Sequence, residues 1–187
     1  MNERVKKILA AGKEVWLEVG AGDRQGENGW VTMDISDKSD VPFDIRRGIP
    51  FPDNSVHKIY SSHFMEHLPY KFGQRFLAES LRVLVPGGLF SICVPNARIY
   101  IEAYLNPELD ISEYFVFKPA YHDTNSRIDF INYIAYMNNN HHYLFDEENL
   151  VNLLKLKGFR EARLRDFQPG LDLEVRDFES IYAQAIK

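Results

Sequence analysis

A short run, Val15-Trp16-Leu17-Glu18-Val19, breaks abruptly into Gly20-Ala21-Gly22-Asp23. Its length and its β-branched and aromatic content predict a buried parallel strand. Glycines at 20 and 22 let the backbone turn tightly and sit close to a bound molecule with no side chain between them. Ligands of open α/β sheets lie just beyond the carboxyl ends of the strands, where this turn would fall. The turn therefore fixes a fold class and a place for a site. By itself it indicates only a nucleotide-like ligand.

Strand and helix signals alternate along the rest of the chain, which predicts a mostly parallel sheet with helices on both faces. Trp30-Val31-Thr32-Met33, ending at Asp34, reads as a second strand. Residues 41–55 carry three prolines and read as loop, with a short extended piece around Asp44-Ile45. Val56 to Ser61 alternates apolar and polar residues and predicts the next strand. A helix fits 70–84, with Phe72, Phe76, Leu81 and Leu84 on one side and Pro86-Gly87-Gly88 as its stop. Leu89 to Val94 reads as a buried strand. Asp146 caps a helix that turns Leu150, Leu153 and Leu154 inward and stops at Gly158. Final strands fit 160–167 and 179–186. The start of the chain predicts a short amphipathic helix on Val5, Ile8 and Leu9.

The composition allows one domain over 1–187, since 187 residues bury a full core and are few for two. A net charge of −5 argues against nucleic acid as a partner, although Arg160, Arg163 and Arg165 could form a local basic patch. The lone Cys93 sits in an apolar run, no stretch is long and apolar enough for a membrane span, and no signal-peptide core opens the chain. A cytoplasmic location is the expectation. Between Asn96 and Asp146 the periodicity weakens, yet the segment holds eleven of the twenty-five aromatic residues and three of the six histidines. Long segments of this kind are commonly lids or binding elements, so 97–145 is expected to be a small helical subdomain packing its aromatics on the sheet edge, an insert capping a substrate, or both.

The chemistry of the glycine turn separates two ligand classes. A dinucleotide fingerprint needs a third glycine opening a helix and an acid some twenty residues on. Here the third position is Gln25, and Asp34 follows Gly20 by only fourteen residues, leaving little room for a helix. Glu18 and Asp23 place negative charge at both sides of the turn, which suits a cationic cofactor better than a pyrophosphate. The pattern resembles class I S-adenosylmethionine-dependent methyltransferases over several motifs in order. Glu18-Val19-Gly20-Ala21-Gly22 resembles their first motif. Asp34, with Ile35 after it, matches the acid that takes both ribose hydroxyls, and Asp44-Ile45 followed by Ile49-Pro50-Phe51-Pro52-Asp53 resembles the adenine-binding loop. Ser61-Ser62-His63-Phe64-Met65-Glu66-His67-Leu68 resembles the fourth-strand end, and Arg82-Val83-Leu84-Val85-Pro86-Gly87-Gly88 the turn before the fifth strand.

The resemblance implies a Rossmann-like methyltransferase fold with strand order 3-2-1-4-5-7-6 and an aromatic-rich insert. It also implies S-adenosyl-L-methionine as cofactor, held by Glu18, Gly20, Ala21, Gly22, Asp34, Ile35, Asp44, Ile45, Ser61 and Ser62. Small bacterial methyltransferases associated with surface-polysaccharide synthesis share the pattern, which implies O-methylation of a saccharide or small-metabolite acceptor. Transfer to an alcohol needs a proton acceptor, for which His63 and His142 are the candidates. His63-Phe64-Met65-Glu66-His67 also matches an H-x-x-E-H zinc signature. It stands at a strand end before Leu68-Pro69 rather than in a long helix, so no metal is assigned. A dehydrogenase, an RNA methyltransferase and a cofactor-binding but inactive scaffold subunit are the competing classes, and the oligomeric state is left open.

Overall fold

The computed structural model describes residues 2–115 and 117–187. Seven strands form one sheet: β1 (Trp16–Val19), β2 (Trp30–Asp34), β3 (Val41–Pro42), β4 (Val56–Ser62), β5 (Leu84–Pro95), β6 (Arg160–Leu164) and β7 (Ser180–Ile186). Their order is β3-β2-β1-β4-β5-β7-β6, as the sequence motifs implied. All neighbouring pairs are parallel except the two that β7 makes, with β5 and β6. The chain reverses its direction of travel across the sheet between β1 and β4, and in open sheets that is where a crevice forms.

Five α-helices are α1 (Glu3–Ala10), α2 (Tyr70–Val83), α3 (Ala97–Leu105), α4 (Ile128–Tyr136) and α5 (Glu147–Leu156). Phe76 and Leu77 of α2 and Leu150 and Leu154 of α5 join Leu17, Val19, Ile59, Phe90 and Ile92 of the sheet in one buried cluster. Asp146 does cap α5, accepting from the Asn149 N–H at 2.7 Å. α2 ends one residue earlier than the spacing suggested. Leu84 leaves the helix and begins β5, where it pairs with Val56, and the ladder then resumes at Lys58 and Leu89. The Val85–Gly88 segment is therefore a bulge inside one long strand and not the gap between two elements.

Two further local readings change. The extended piece near Asp44 lies earlier, at Val41-Pro42, while Asp44 caps a 3-10 turn over Ile45–Arg47 by accepting from the Arg46 N–H. The loop that follows is riveted by Arg82. Its guanidinium donates to the carbonyls of Ile49 (2.8 Å) and Phe51 (3.0 Å) and to the carboxylates of Glu79 and Asp53. Two motifs far apart in sequence thus form one clamp.

The connection from β1 to β2 contains no helix; residues 20–29 cross as a turn and extended chain. Ten residues are fewer than the dozen or more that such a crossover ordinarily takes. Without a helical ladder its backbone donors need other partners. Asp40 supplies them, because its Oδ2 accepts from the N–H of Gly26 (2.8 Å) and of Thr32 (3.0 Å). Thr32 Oγ1 donates to the Arg24 carbonyl at 2.9 Å and accepts from the Asp40 N–H at 3.0 Å. Glycine is obligatory at 26, where a Cβ would stand 1.8 Å from the Trp30 carbonyl oxygen.

The 97–145 segment carries α3 and α4, whose buried faces join in their own cluster around Tyr100, Phe115, Tyr133 and Ile134. Tyr100 stacks on Tyr133 with ring centroids 5.8 Å apart, and Phe115 touches both. Most of the aromatic mass that drew attention in the sequence is therefore spent on this internal core. No helix among the described residues is long and apolar enough to cross a membrane.

Candidate functional site

Parallel strands β1 and β2 end side by side, so Gly20 and Asp34 emerge together at the carboxyl edge of the sheet. They line one cavity of about 340 Å³ with Ile35, Asp44 and Ile45, and Phe43, Phe64 and Phe72 contribute apolar walls. The volume falls within the range of small-molecule sites, about 300–1,000 Å³. Asp34 is fixed from two sides: Oδ2 accepts from the Gly22 N–H at 2.9 Å and Oδ1 from the Ser36 N–H at 3.1 Å. Each oxygen keeps a lone pair, so the carboxylate retains the capacity to take two more donors. Ile35 is 69% exposed beside it, an apolar side chain without cover. Gly20 has φ +79°, and a Cβ there would enter the Phe64 ring at 2.2 Å. Its bareness thus admits Phe64 into the cavity wall. Asp44 is already engaged, since Arg46 folds back on its carboxylate with Nε at 2.9 and 3.0 Å, which holds its pKa below the usual carboxylate range.

Glu18 and Ser62 do not share that cavity. They line a groove of about 550 Å³ together with Trp30, Tyr60 and residues of the β1–β2 crossover. Glu18 forms an ion pair with Arg24, whose Nε also donates to the Ala21 carbonyl at 3.2 Å. Burial raises the pKa of Glu18, and the Arg24 charge opposes that rise. Ala21 is nearly buried and lines neither space. Ser61 is fully buried in β4 and also lines neither. Gly22 takes part through its N–H on Asp34.

The two candidate bases differ sharply. His63 follows β4 in a left-handed conformation (φ 46°), with its side chain 7% exposed. Ser180 Oγ spends its one proton on the Arg176 carbonyl at 2.6 Å, so His63 Nε2 must donate to that oxygen across 2.8 Å. Burial lowers the His63 pKa to about 3. His63 is therefore a buried, neutral, hydrogen-bonded imidazole, not a base free to meet a substrate. His142 is exposed and lines the 340 Å³ cavity, and its N–H donates to the Glu66 carbonyl at 2.7 Å.

The groove has a second wall that the sequence did not disclose. Residues 165–179 fold over the sheet, with Leu171 and Leu173 on the groove, and a buried ion pair holds them there. Arg165 reaches both oxygens of Asp172, at 2.7 and 2.6 Å, with side chains 5% and 1% exposed. Tyr60 Oη donates to Asp172 at 2.9 Å, and Arg165 Nε to Ser91 Oγ at 2.9 Å. Arg165 thus belongs to the interior and not to a basic surface patch with Arg160 and Arg163. Local spacing gives no sign of a pair closed by folding.

Comparison with known proteins agrees with this architecture. The fold is the Rossmann-like methyltransferase fold. Residues 20–92 match a family model described as a methyltransferase domain. No curated protein matches the chain in sequence. Among solved structures, a SAM-dependent methyltransferase from Archaeoglobus fulgidus aligns with a TM-score of 0.57 at 15% identity, over 98% of this chain and 94% of that one. One from Mesorhizobium loti aligns at 0.56 and 14% identity, over 100% and 99%. Phosphoethanolamine N-methyltransferase 2 of Haemonchus contortus, in complex with S-adenosyl-L-methionine, aligns at 0.56 and 14%, over all of this chain and 52% of that one.

Proposed function

We propose that the chain is an S-adenosyl-L-methionine-dependent methyltransferase. The observation that carries this is the joint presentation of Gly20 and Asp34 on one apolar-walled cavity at the carboxyl edge of the sheet. Asp34, pinned by two backbone donors, would accept both ribose hydroxyls with its remaining lone pairs. Ile35, Phe43 and Ile45 would cover the adenine, and Asp44 would share its carboxylate between Arg46 and the adenine amino group. Glu18 and Ser62 stand on the other side of the turn, where they would meet the amino-acid end. When bound, the cofactor supplies a methyl already activated on a sulfonium, so the chain's task is to align an acceptor with it and exclude water.

The acceptor belongs in the 550 Å³ groove. Trp30 offers apolar surface there beside Gln25, Glu27 and Asn28, a pairing of aromatic face and polar rim that suits a saccharide or a similarly hydroxylated metabolite. The 97–145 insert acts as a partial cap, and its final residues bring exposed His142 to the cavity. His142, on the cavity wall, would take the proton of an acceptor hydroxyl that reaches it.

Calorimetric titration with S-adenosylhomocysteine tests the cofactor. Each charge-assisted bond to a ribose hydroxyl contributes about 1.5–3 kcal/mol, so Asp34→Ala is expected to weaken binding by at least about tenfold. Absence of binding to the wild type, or an unchanged affinity in Asp34→Ala, would defeat the proposal. Incubation with labelled cofactor and a panel of nucleotide sugars then addresses the acceptor. Trp30→Ala should raise its KM, and His142→Ala should lower kcat.

A further inference from the structure

The segment after β4 and the end of the 97–145 insert bring three imidazoles around one carboxylate. Glu66 is 1% exposed, and neither of its carboxylate oxygens has a hydrogen-bond partner. A buried carboxylate left without a donor is costly: burial raises the Glu66 pKa to about 8, and a proton or a cation must compensate it. His67 Nε2 lies 3.7 Å from Glu66 Oε1, and His63 Nδ1 lies 3.8 Å from the same oxygen. His141 is 7% exposed, and its ring centroid stands 5.0 Å from that of His67. One ligand atom each from Glu66, His67 and His141 all fall within 4.8 Å of one another.

The tautomers follow from the outer partners. His67 Nδ1 faces the Asn140 carbonyl at 2.9 Å, and His141 Nδ1 faces the Ile134 carbonyl at 2.8 Å. A carbonyl only accepts, so both Nδ1 atoms carry the proton and both Nε2 atoms keep a lone pair. His63 donates through Nε2 to Ser180, so its Nδ1 also keeps a lone pair. His67 and His141 thus each keep an Nε2 lone pair in the cluster with Glu66, and His63 Nδ1 keeps one 3.8 Å from Glu66 Oε1. Histidine ligands of metals are oriented in this way, with the second ring nitrogen donating to a backbone carbonyl.

We infer that Glu66, His67 and His141 bind a divalent transition metal of the zinc type, with His63 beside them. Two imidazoles and one carboxylate are a familiar ligand set for zinc, and three protein ligands leave a fourth position for water or an acceptor oxygen. Bond lengths of about 2.0–2.2 Å put tetrahedral ligand atoms roughly 3.3–3.5 Å apart, so atoms now within 4.8 Å of one another close by up to about 1.5 Å when the site is filled. His67 also lines the 340 Å³ cavity, which places the ion at its wall. The H-x-x-E-H spacing alone did not justify a metal because the third ligand is supplied from residue 141, brought back after α4 by left-handed residues 137–139.

The test needs no methyl transfer, so it stands apart from the function proposed above. The chelator-treated protein is titrated with Zn²⁺ and with Co²⁺, following heat and the visible ligand-field bands of cobalt. One ion per chain is expected, with tetrahedral-type cobalt bands. His67→Ala removes a side chain that is 40% exposed, which makes it the variant least damaging to folding. It and His141→Ala should each weaken binding by more than about 100-fold, beyond what loss of an outer partner costs. His122→Ala, outside the cluster, should bind as the wild type does. No binding by the wild type, or binding that survives intact in His67→Ala with its circular dichroism unchanged, overturns the inference.

Discussion

Replacing Asp40 tests how a crossover without a helix is held. Its Oδ2 takes the N–H groups of Gly26 and Thr32 at 2.8 and 3.0 Å, joining the middle of the crossover to the middle of β2. Hydrogen bonds to a charged acceptor contribute about 1.5–3 kcal/mol each. Both are part-buried, so water recovers some of the loss, and Asp40→Ala is expected to cost about 2–4 kcal/mol. That is a large fraction of the roughly 5–15 kcal/mol that keeps a domain folded. Asp40→Asn retains one acceptor oxygen without the charge and should cost about half as much. Urea unfolding followed by tryptophan fluorescence measures both, since Trp16 and Trp30 flank the crossover with ring centroids 5.8 Å apart. A loss below about 0.5 kcal/mol in Asp40→Ala, or equal losses in the two variants, would refute the assignment of Asp40 as the anchor.

Gly26→Ala should destabilise by about 1–3 kcal/mol or more, because its Cβ must displace the Trp30 carbonyl; an unchanged urea midpoint would contradict the close approach. Asp172→Ala leaves the Arg165 charge buried and unpaired and should cost about 3–5 kcal/mol, whereas the double change Arg165→Met with Asp172→Leu should recover most of it; a double variant no more stable than the single would argue against the pair. Glu79 is held below its ordinary pKa by hydrogen bonds from Arg82 and then from the Ile49 N–H. A carboxylate with a lowered folded-state pKa stabilises above its unfolded value near 4.5 and loses that contribution as the pH falls through the folded value. The stability difference between wild type and Glu79→Gln should therefore shrink below about pH 4.5, and a difference that stays constant down to pH 3 would rule out the linkage.

What the sequence disclosed was local or repeated. Apolar runs such as Leu89 to Val94 are read directly as buried strands, and Asp146 announces its helix because a cap and its N–H partner are neighbours in the chain. The glycine turn and Asp34 were legible for the same reason, since a strand end fixes where both must lie. Leu84 was misplaced because its helical spacing continues through the residue at which the backbone straightens. Contacts between distant residues left no periodic trace: Asp40 with Gly26, Arg165 with Asp172, and Glu66 with His141 are closed only by the fold. The aromatic insert was legible in part. Its rings build a core for α3 and α4, and the aromatic residues on the groove are Trp30 of β2 and Tyr60 of β4.

The crossover without a helix also changes the kind of positive charge available at the glycine turn. A helix starting there would present fixed amide dipoles worth about half an elementary charge, built into the backbone and always aimed the same way. Here Lys38 pairs with Asp23, and the cation beside Glu18 is Arg24, a full charge on a rotatable stem with its side chain 56% exposed, already bound to that carboxylate. Any anionic group arriving at the turn must compete with Glu18 for that guanidinium, and dissolved ions weaken the contest over a Debye length of about 8 Å at physiological ionic strength. Affinity at this edge of the sheet becomes a matter of ion exchange, tunable by salt and by one side chain.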